Sequence, residues 1–321
     1  MRMPMLVRVL LATGLAFSPA IRAQDYPSKP VKIIVPIASG ASFDTATRLI
    51  AERLREKWSQ PVIVENRAGA GHNIGAEAVS RAAPDGYTLL SAPPPSLVIN
   101  KSLFAKLAFD PDAFVPVSVV LSTYNLLAVN LKVAAHSVQQ LIDFARANPD
   151  RLNYASAGSG TTPHLAAEMF KTMAGVRIVH IPYKGTSPAI MELMGGQVDI
   201  MFVDIGLAHP HIRAGKLRAL AVASEKRSGV LPDVPAMSET LPGFLSVIWL
   251  GVVAPAGTPS AIAIQVSGAI AEILKQPDIA KRLLDMSFDP IGSTPEEMAL
   301  FMAQERERWG KVVRASGATA N

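Results

Sequence analysis

Two short segments combine glycine with hydroxyl side chains. They are Ser39-Gly40-Ala41-Ser42-Phe43-Asp44 and Ala157-Gly158-Ser159-Gly160-Thr161-Thr162-Pro163, with His164 one residue on. Each follows a short apolar run and precedes a stretch of helical periodicity, so each reads as a loop feeding a helix N-terminus. Such a terminus presents unpaired N–H groups and about half a positive charge, enough to hold a carboxylate or phosphate without Lys or Arg. Glycine lets a ligand approach the backbone, and hydroxyls add donors that rotate to suit it. On two facing lobes, the loops would close on one anion from both sides. Each loop taken singly fits ordinary helix capping equally well. His164, in a first helical turn, fits a cap-bonded ring as well as a ligand contact.

Other chemistries find less support. Gly69-Ala70-Gly71-His72-Asn73-Ile74-Gly75 opens a helix after a strand, but its spacing is G-x-G-x-x-x-G and it belongs to the second strand. A dinucleotide site also needs an acid near the end of the next strand, where Leu90-Ser91-Ala92-Pro93 offers none. Gly215-Lys216 and Gly310-Lys311 are followed by Leu and Val, so neither is a phosphate loop, and no G-x-S-x-G elbow occurs. His209-Pro210-His211 is too closely spaced for a helical metal pair, and the absence of cysteine removes thiolate sites, disulfides and a Cys nucleophile. No catalytic residue, cofactor or metal is expected.

The elements that must position the two loops follow an α/β rhythm. Strands are expected at 32–35, 62–64, 87–90, 126–129, 152–156, 178–181, 200–203, 218–223 and 247–253. Ala46, Leu49, Ile50 and Leu54 form one helical face, capped by Asp44 or Ser42, and a helix is expected from Asn73 to Ala82. Ser137 with Gln140, and Thr294 with Glu297, read as capping boxes. Thr162-Pro163, Ser187-Pro188, Thr258-Pro259 and Thr294-Pro295 each suggest a hydroxyl cap before a first-turn proline, and Gly195 and Gly215 suggest C-caps. Strands alternating with helices imply parallel sheet in two α/β lobes.

The chain has 321 residues, 49% of them apolar and 18% charged, with a formal charge of +5. That is ample for a buried core and unlike a disordered chain. Residues 1–23 begin with Arg2 and Arg8, continue through an apolar stretch from Val9 to Phe17 and end in Ser18, Ala20 and Ala23. This is the pattern of a cleaved export signal, and the apolar run is about half of what spans a bilayer. Removal of Arg2, Arg8 and Arg22 lowers the charge to +2, so the basic excess gives no reason to expect nucleic acid.

In order along the chain stand Tyr26-Pro27-Ser28-Lys29-Pro30-Val31-Lys32-Ile33-Ile34-Val35-Pro36, Pro61-Val62-Ile63-Val64-Glu65-Asn66-Arg67, Ala83-Pro84-Asp85-Gly86-Tyr87 and Gly158-Ser159-Gly160-Thr161. They are followed by Tyr183-Lys184-Gly185, Gly195-Gly196-Gln197-Val198-Asp199, Gly215-Lys216-Leu217-Arg218, Leu231-Pro232-Asp233-Val234-Pro235 and Ala254-Pro255-Ala256-Gly257-Thr258-Pro259. Together these resemble the Bug-type periplasmic solute receptors of tripartite tricarboxylate transporters. The resemblance implies an α/β, type II periplasmic-binding-protein fold whose two lobes close on a small carboxylate. The implied division is 24–124 plus about 250–298 for lobe one, and 125–249 plus about 299–321 for lobe two. The crossings fall near 121–126 and 249–253. Carried over by position, the binding set is Ser39 to Asp44 and Ser159 to His164, with Gly158 beside it. Asp44 either touches ligand or shapes its loop.

The chain departs from that pattern where a ligand is read. Ile37 stands where Phe is frequent, Gly40-Ala41 replaces a Gly-Gly pair, Phe43 lies close behind, and His72 replaces a Gly. The third cleft loop, around Pro93-Pro94-Pro95-Ser96, is stiff and apolar, which brings Pro94 and Ser96 into the expected site. Asp204 either accepts a ligand amine or hydroxyl or caps the next helix. Lys184 either contacts ligand or belongs to a strand–helix turn. The expected partners are a di-, tri- or aromatic carboxylate, with aromatic or long-chain ligands favoured over citrate, and integral membrane transporter subunits. The expected state is a periplasmic monomer. Presentation of the closed form to a sensor kinase is the alternative, and an α/β hydrolase a distant one.

Overall fold

The computed structural model describes residues 26–229 and 231–320; the export signal expected at 1–23 lies outside them. Among the described residues the strands are β1 (Val31–Val35), β2 (Val62–Asn66), β3 (Thr88–Ala92), β4 (Val115–Val129), β5 (Asn153–Ser156), β6 (Val179–Pro182), β7 (Ile200–Asp204), β8 (Arg218–Val222), β9 (Val247–Ala254) and β10 (Asp289–Pro290). The helices are α1 (Ser42–Trp58), α2 (Asn73–Ser80), α3 (Asn100–Leu103), α4 (Val138–Ala147), α5 (Thr162–Ala174), α6 (Thr186–Gly195), α7 (Ile205–Arg213), α8 (Ser260–Leu274), α9 (Pro277–Asp285) and α10 (Pro295–Ser316). None of them is long and apolar enough to cross a membrane.

The strand order is β2-β1-β3-β9-β4-β7-β5-β6, with β8 and β10 also pairing β4. The strand β4 is the joint. Its residues 115–124 pair antiparallel with β9, and its residues 125–129 pair with β7 and β8. On one side β1 runs parallel to β2 and β3; on the other, β5 runs parallel to β6 and β7. The sequence predicts only 126–129 as a strand here. Pro116 and the polar run Ser122-Thr123-Tyr124-Asn125 hide the rest. The pairing with β9 shifts register between Pro116 and Ser118, and proline is tolerated at such irregularities. Asn125 is buried, and its amide donates to Ser246 Oγ at 2.8 Å.

Both faces of each half-sheet are covered, which is why the parallel strands are apolar without alternation. Val31, Ile33 and Val35 pack under α1, α8 and α9, while Ile34 faces α2 and α10. In the other half Leu127, Val129 and Phe202 face α4 and α5, while Leu126, Met201 and Val203 face α6 and α7. The helix α10 touches both halves: Met298, Met302 and Trp309 join the core around Leu97 and Trp249, and Val312 packs against the core of the second half.

Several caps differ from expectation. Ala41 precedes α1 and offers no side-chain cap; Asp44 instead accepts the Gly40 N–H at 2.8 Å. Ser137 accepts from Gln140 N, but the Gln140 side chain turns to the N–H of His136, so the box is not reciprocal. Of the four hydroxyl–proline starts only Thr294 caps its helix, reciprocally with Glu297. Thr162 and Ser187 lie inside α5 and α6, and the Thr258 hydroxyl donates to Pro255 O to close a turn. The left-handed residue ending α6 is Gly196, one position after Gly195. Pro94 to Leu103 is helical, with a π turn at Pro95–Ile99 leading into α3, rather than a loop.

Glu305 ties α10 to β9. It is fully buried; Oε2 accepts from the indole N–H of Trp249 at 3.2 Å and of Trp309 at 3.0 Å, and Oε1 pairs with Arg308 at 2.9 Å. Glu305→Ala leaves two buried indole donors without an acceptor and is expected to lower stability by about 3 kcal/mol. Glu305→Gln, which keeps an oxygen there, loses less. The midpoint of urea unfolding measures both.

Candidate functional site

The loop after β1, the turn after β2 and the start of α3 face the loops after β5 and β6 across a hollow of about 450 Å³. Its first wall is formed by Pro36–Ala38, Ala68, Gly69, Gly71, His72, Pro95, Asn100 and Phe104; its second by Ala157–Thr161, Lys184 and Gly185. The hollow therefore lies between the two halves that β4 joins. A larger one, of about 620 Å³, lies beside Tyr124, Arg227 and Asp289.

The 157–161 segment is built to keep its backbone at the surface of the hollow. Gly158 and Gly160 both take positive φ, at 122° and 80°. A Cβ on Gly160 would stand 2.0 Å from Leu103 Cδ2, so any side chain there would have to displace Leu103. The loop spends some donors on itself. The Gly160 N–H donates to His164 Nδ1 at 3.1 Å, and the Gly158 N–H to Ser156 Oγ at 3.2 Å. The Thr161 hydroxyl donates to Gly158 O at 2.8 Å, which occupies it and leaves Thr161 without a side-chain cap bond. Ser159, exposed at the apex, makes no hydrogen bond among the described residues and is free to meet a ligand. Behind it α5 begins, with its positive end toward the hollow.

The first loop contributes less than its composition suggests. Ile37 lines the hollow, together with Ala38. Ser39 and Gly40 are exposed and Ala41 and Ser42 half-buried, away from its wall. Phe43 turns into the core and stacks on Phe288 at 5.2 Å. Asp44 is buried, accepts from Gly40 N, Arg48 Nε and Asn66 Nδ2, and so shapes the loop. Although burial opposes its charge, the Gly40, Arg48 and Asn66 bonds hold its carboxyl below the usual carboxylate range.

Of the remaining expected residues, Gly158, Ser159, Gly160 and Thr161 line the hollow, whereas Thr162 and His164 are buried behind it at the start of α5. Pro94 and Ser96 are buried in the helical segment, and Pro95 between them forms wall. Asp204 accepts the Leu207 N–H at 3.3 Å as the N-cap of α7, and burial pushes its carboxyl up to about 6.

Sequence reasoning does not single out Asn100 or Phe104, which carry no motif. Asn100 is buried; its amide donates to Gly71 O at 2.8 Å and Asn73 Oδ1 at 2.7 Å, which fixes the turn carrying His72. His72 takes φ 77°, and burial pushes its imidazole down to about 4, so it is neutral at pH 7. Among the described residues the wall thus carries one cation, the exposed Lys184, and no acid. With the α5 terminus, this favours an anion.

The family model described as "Tripartite tricarboxylate transporter family receptor" matches residues 46–318. The chain belongs to that family. The receptor is 36% identical over 320 residues to Protein BugT of Bordetella pertussis, covering 99% of this chain and 98% of that one. Among solved structures, R. palustris Rpa4515 with adipate is 35% identical with a TM-score of 0.84, covering 92% of this chain and 99% of that one. MatC from Rhodopseudomonas palustris with bound malate is 34% identical with a TM-score of 0.79, covering 90% and 100%. The fold is the type II periplasmic-binding-protein fold expected from the sequence, and the protein is a solute-binding receptor of this transporter family.

The Gly160–Leu103 approach can be tested without a ligand. Gly160→Ala is expected to cost about 1–2 kcal/mol from its left-handed backbone alone, with a further penalty from the clash. Leu103→Ala relieves only that second part, so the two changes should couple favourably in a double-mutant cycle read from urea midpoints. Strict additivity would place the halves apart at this point in solution.

Proposed function

We propose that the receptor captures a small organic carboxylate in the hollow between its halves and delivers it to the integral membrane subunits of a tripartite tricarboxylate-type transporter. The observation that carries this reading is the composition of the wall: a helix N-terminus, a free Ser159 and Lys184 converge on a space lined by no acidic side chain among the described residues. A carboxylate is stabilised there by fixed dipoles and one exposed ammonium. The adipate bound in Rpa4515 and the malate bound in MatC support the same ligand class.

In this reading the contacting set is Ile37, Gly158, Ser159, Gly160 and Thr161, with Lys184 at the rim. Asp44, Thr162 and His164 act from behind the loops. Ile37, Pro95 and Phe104 give the other end of the space an apolar wall, which suits the methylene chain of a dicarboxylate or an aromatic ring better than citrate. The lobes are 24–124 with about 250–298, and 125–249, hinged where β4 and β9 pair; α10 packs on both and straps them. Closure is driven by a ligand that contacts both walls. The receptor works as a monomer in the periplasm, binding its ligand without converting it.

A thermal-unfolding screen of adipate, malate, citrate and benzoate tests the reading. A ligand at a hundred times its Kd stabilises the native state by about 2.7 kcal/mol, which is expected for at least one dicarboxylate or for benzoate. Unchanged unfolding with all four would contradict it.

A further inference from the structure

Directly behind the 157–161 loop lies a packed group of titratable side chains, none of which lines the hollow itself. The His164 and His180 rings stack with centroids 4.3 Å apart, and Tyr154 stacks on His180 at 4.6 Å. The Tyr154 hydroxyl donates to Glu168 Oε1 at 2.5 Å, and Lys171 pairs with the same carboxylate at 2.8 Å. Both imidazoles are tied to the loop. His164 Nδ1 accepts the Gly160 N–H, and His180 Nε2 lies 2.7 Å from Ser156 Oγ, which accepts the Gly158 N–H. A backbone N–H can only donate, so Nδ1 of His164 must carry a lone pair and its proton must sit on Nε2.

We propose that His164 is a proton-sensitive positioning residue: its neutral Nδ1 holds the Gly160 N–H inward, sets the path of the 157–161 loop, and releases that loop when it is protonated. The proposal rests on the carboxylate-binding reading for its consequence in binding, but not for the loop itself. Protonated Nδ1 turns an acceptor into a second donor facing the Gly160 N–H, so the bond is lost and the two groups repel.

The surroundings keep the acceptor in place near neutrality. Burial, the larger influence, lowers the affinity of His164 for a proton, and burial likewise pushes His180 down to about 4, with the neighbouring His164 ring acting in the same sense. Glu168 pulls in the opposite direction, but Lys171 and Tyr154 already occupy its oxygens. The helix α10, packed on α5, brings Glu305 and Arg308, which are paired with each other. The strands β4 and β7 present Leu127 and Phe202. The imidazole is thus neutral at pH 7, and the loop is released only as the pH falls below the ordinary imidazole range.

The test is a 15N amide titration of the full receptor from pH 7 down to the acid limit at which it stays folded, in wild type, His164→Asn and His164→Leu. Asn places its Oδ1 near the former Nδ1 and accepts at every pH. The expected result is a single titration of the Gly160 amide below pH 6.5 in wild type that is absent in His164→Asn. In His164→Leu the amide holds a displaced shift throughout. A flat wild-type profile, or the same titration in His164→Asn, would overturn the proposal. With adipate as probe, wild type is expected to lose roughly tenfold more affinity than His164→Asn over that range. Equal losses would overturn the link to binding. Adipate's own titration is common to both proteins, and the amide experiment needs no ligand, so a failure of the carboxylate reading is distinguishable from a failure of this one.

Discussion

One continuous strand carries the connection between the two halves. The fifteen residues of β4 pair with β9 along one stretch and with β7 and β8 along the next, so a single backbone belongs to both sheets. Its polar middle, from Ser122 to Asn125, would be a poor core strand. At a crossing it serves well, because Asn125 binds Ser246 there instead of lying against an apolar layer. The loops at the ends of the two sheets face each other across the hollow. Glu305 and the two tryptophans add a second tie through α10, placed away from the hollow.

The binding surface follows from what the loops do with their own hydrogen bonds. A loop with every donor satisfied internally would have nothing to offer an anion. One with every donor free would not hold its shape. The 157–161 segment divides the work: Gly158, Gly160 and the Thr161 hydroxyl bond inward, while Ser159 and the start of α5 remain toward the space. The first loop makes the opposite choice. Asp44 gathers Gly40, Arg48 and Asn66 around itself, which leaves Pro36–Ala38 as its share of the wall.

The α/β order, most strand positions and the second loop were legible in the sequence, because apolar runs and Gly/Ser/Thr clusters report local structure directly. What escaped was decided by distant partners. The first two-thirds of β4 looked irregular because its pairing tolerates Pro116 at a register shift. Phe43 reads as a cleft residue beside a glycine loop, yet Phe288, remote in sequence, draws it into the core. The proline run before Ser96 reads as a stiff loop, but Pro94 and Pro95 occupy a first helical turn, where a missing N–H costs nothing. Asn100 joins the wall through a bond to Gly71 that no local pattern announces.

The central claim is that an anion docks on the backbone at the start of α5. Amide chemical-shift mapping of the receptor with a saturating dicarboxylate addresses it most directly. The account predicts saturable, concerted shifts at Ser159, Thr161 and Thr162, joined by Ala38 and Lys184 across the hollow. Saturable shifts confined to the other large hollow, around Tyr124, Arg227 and Asp289, would contradict it.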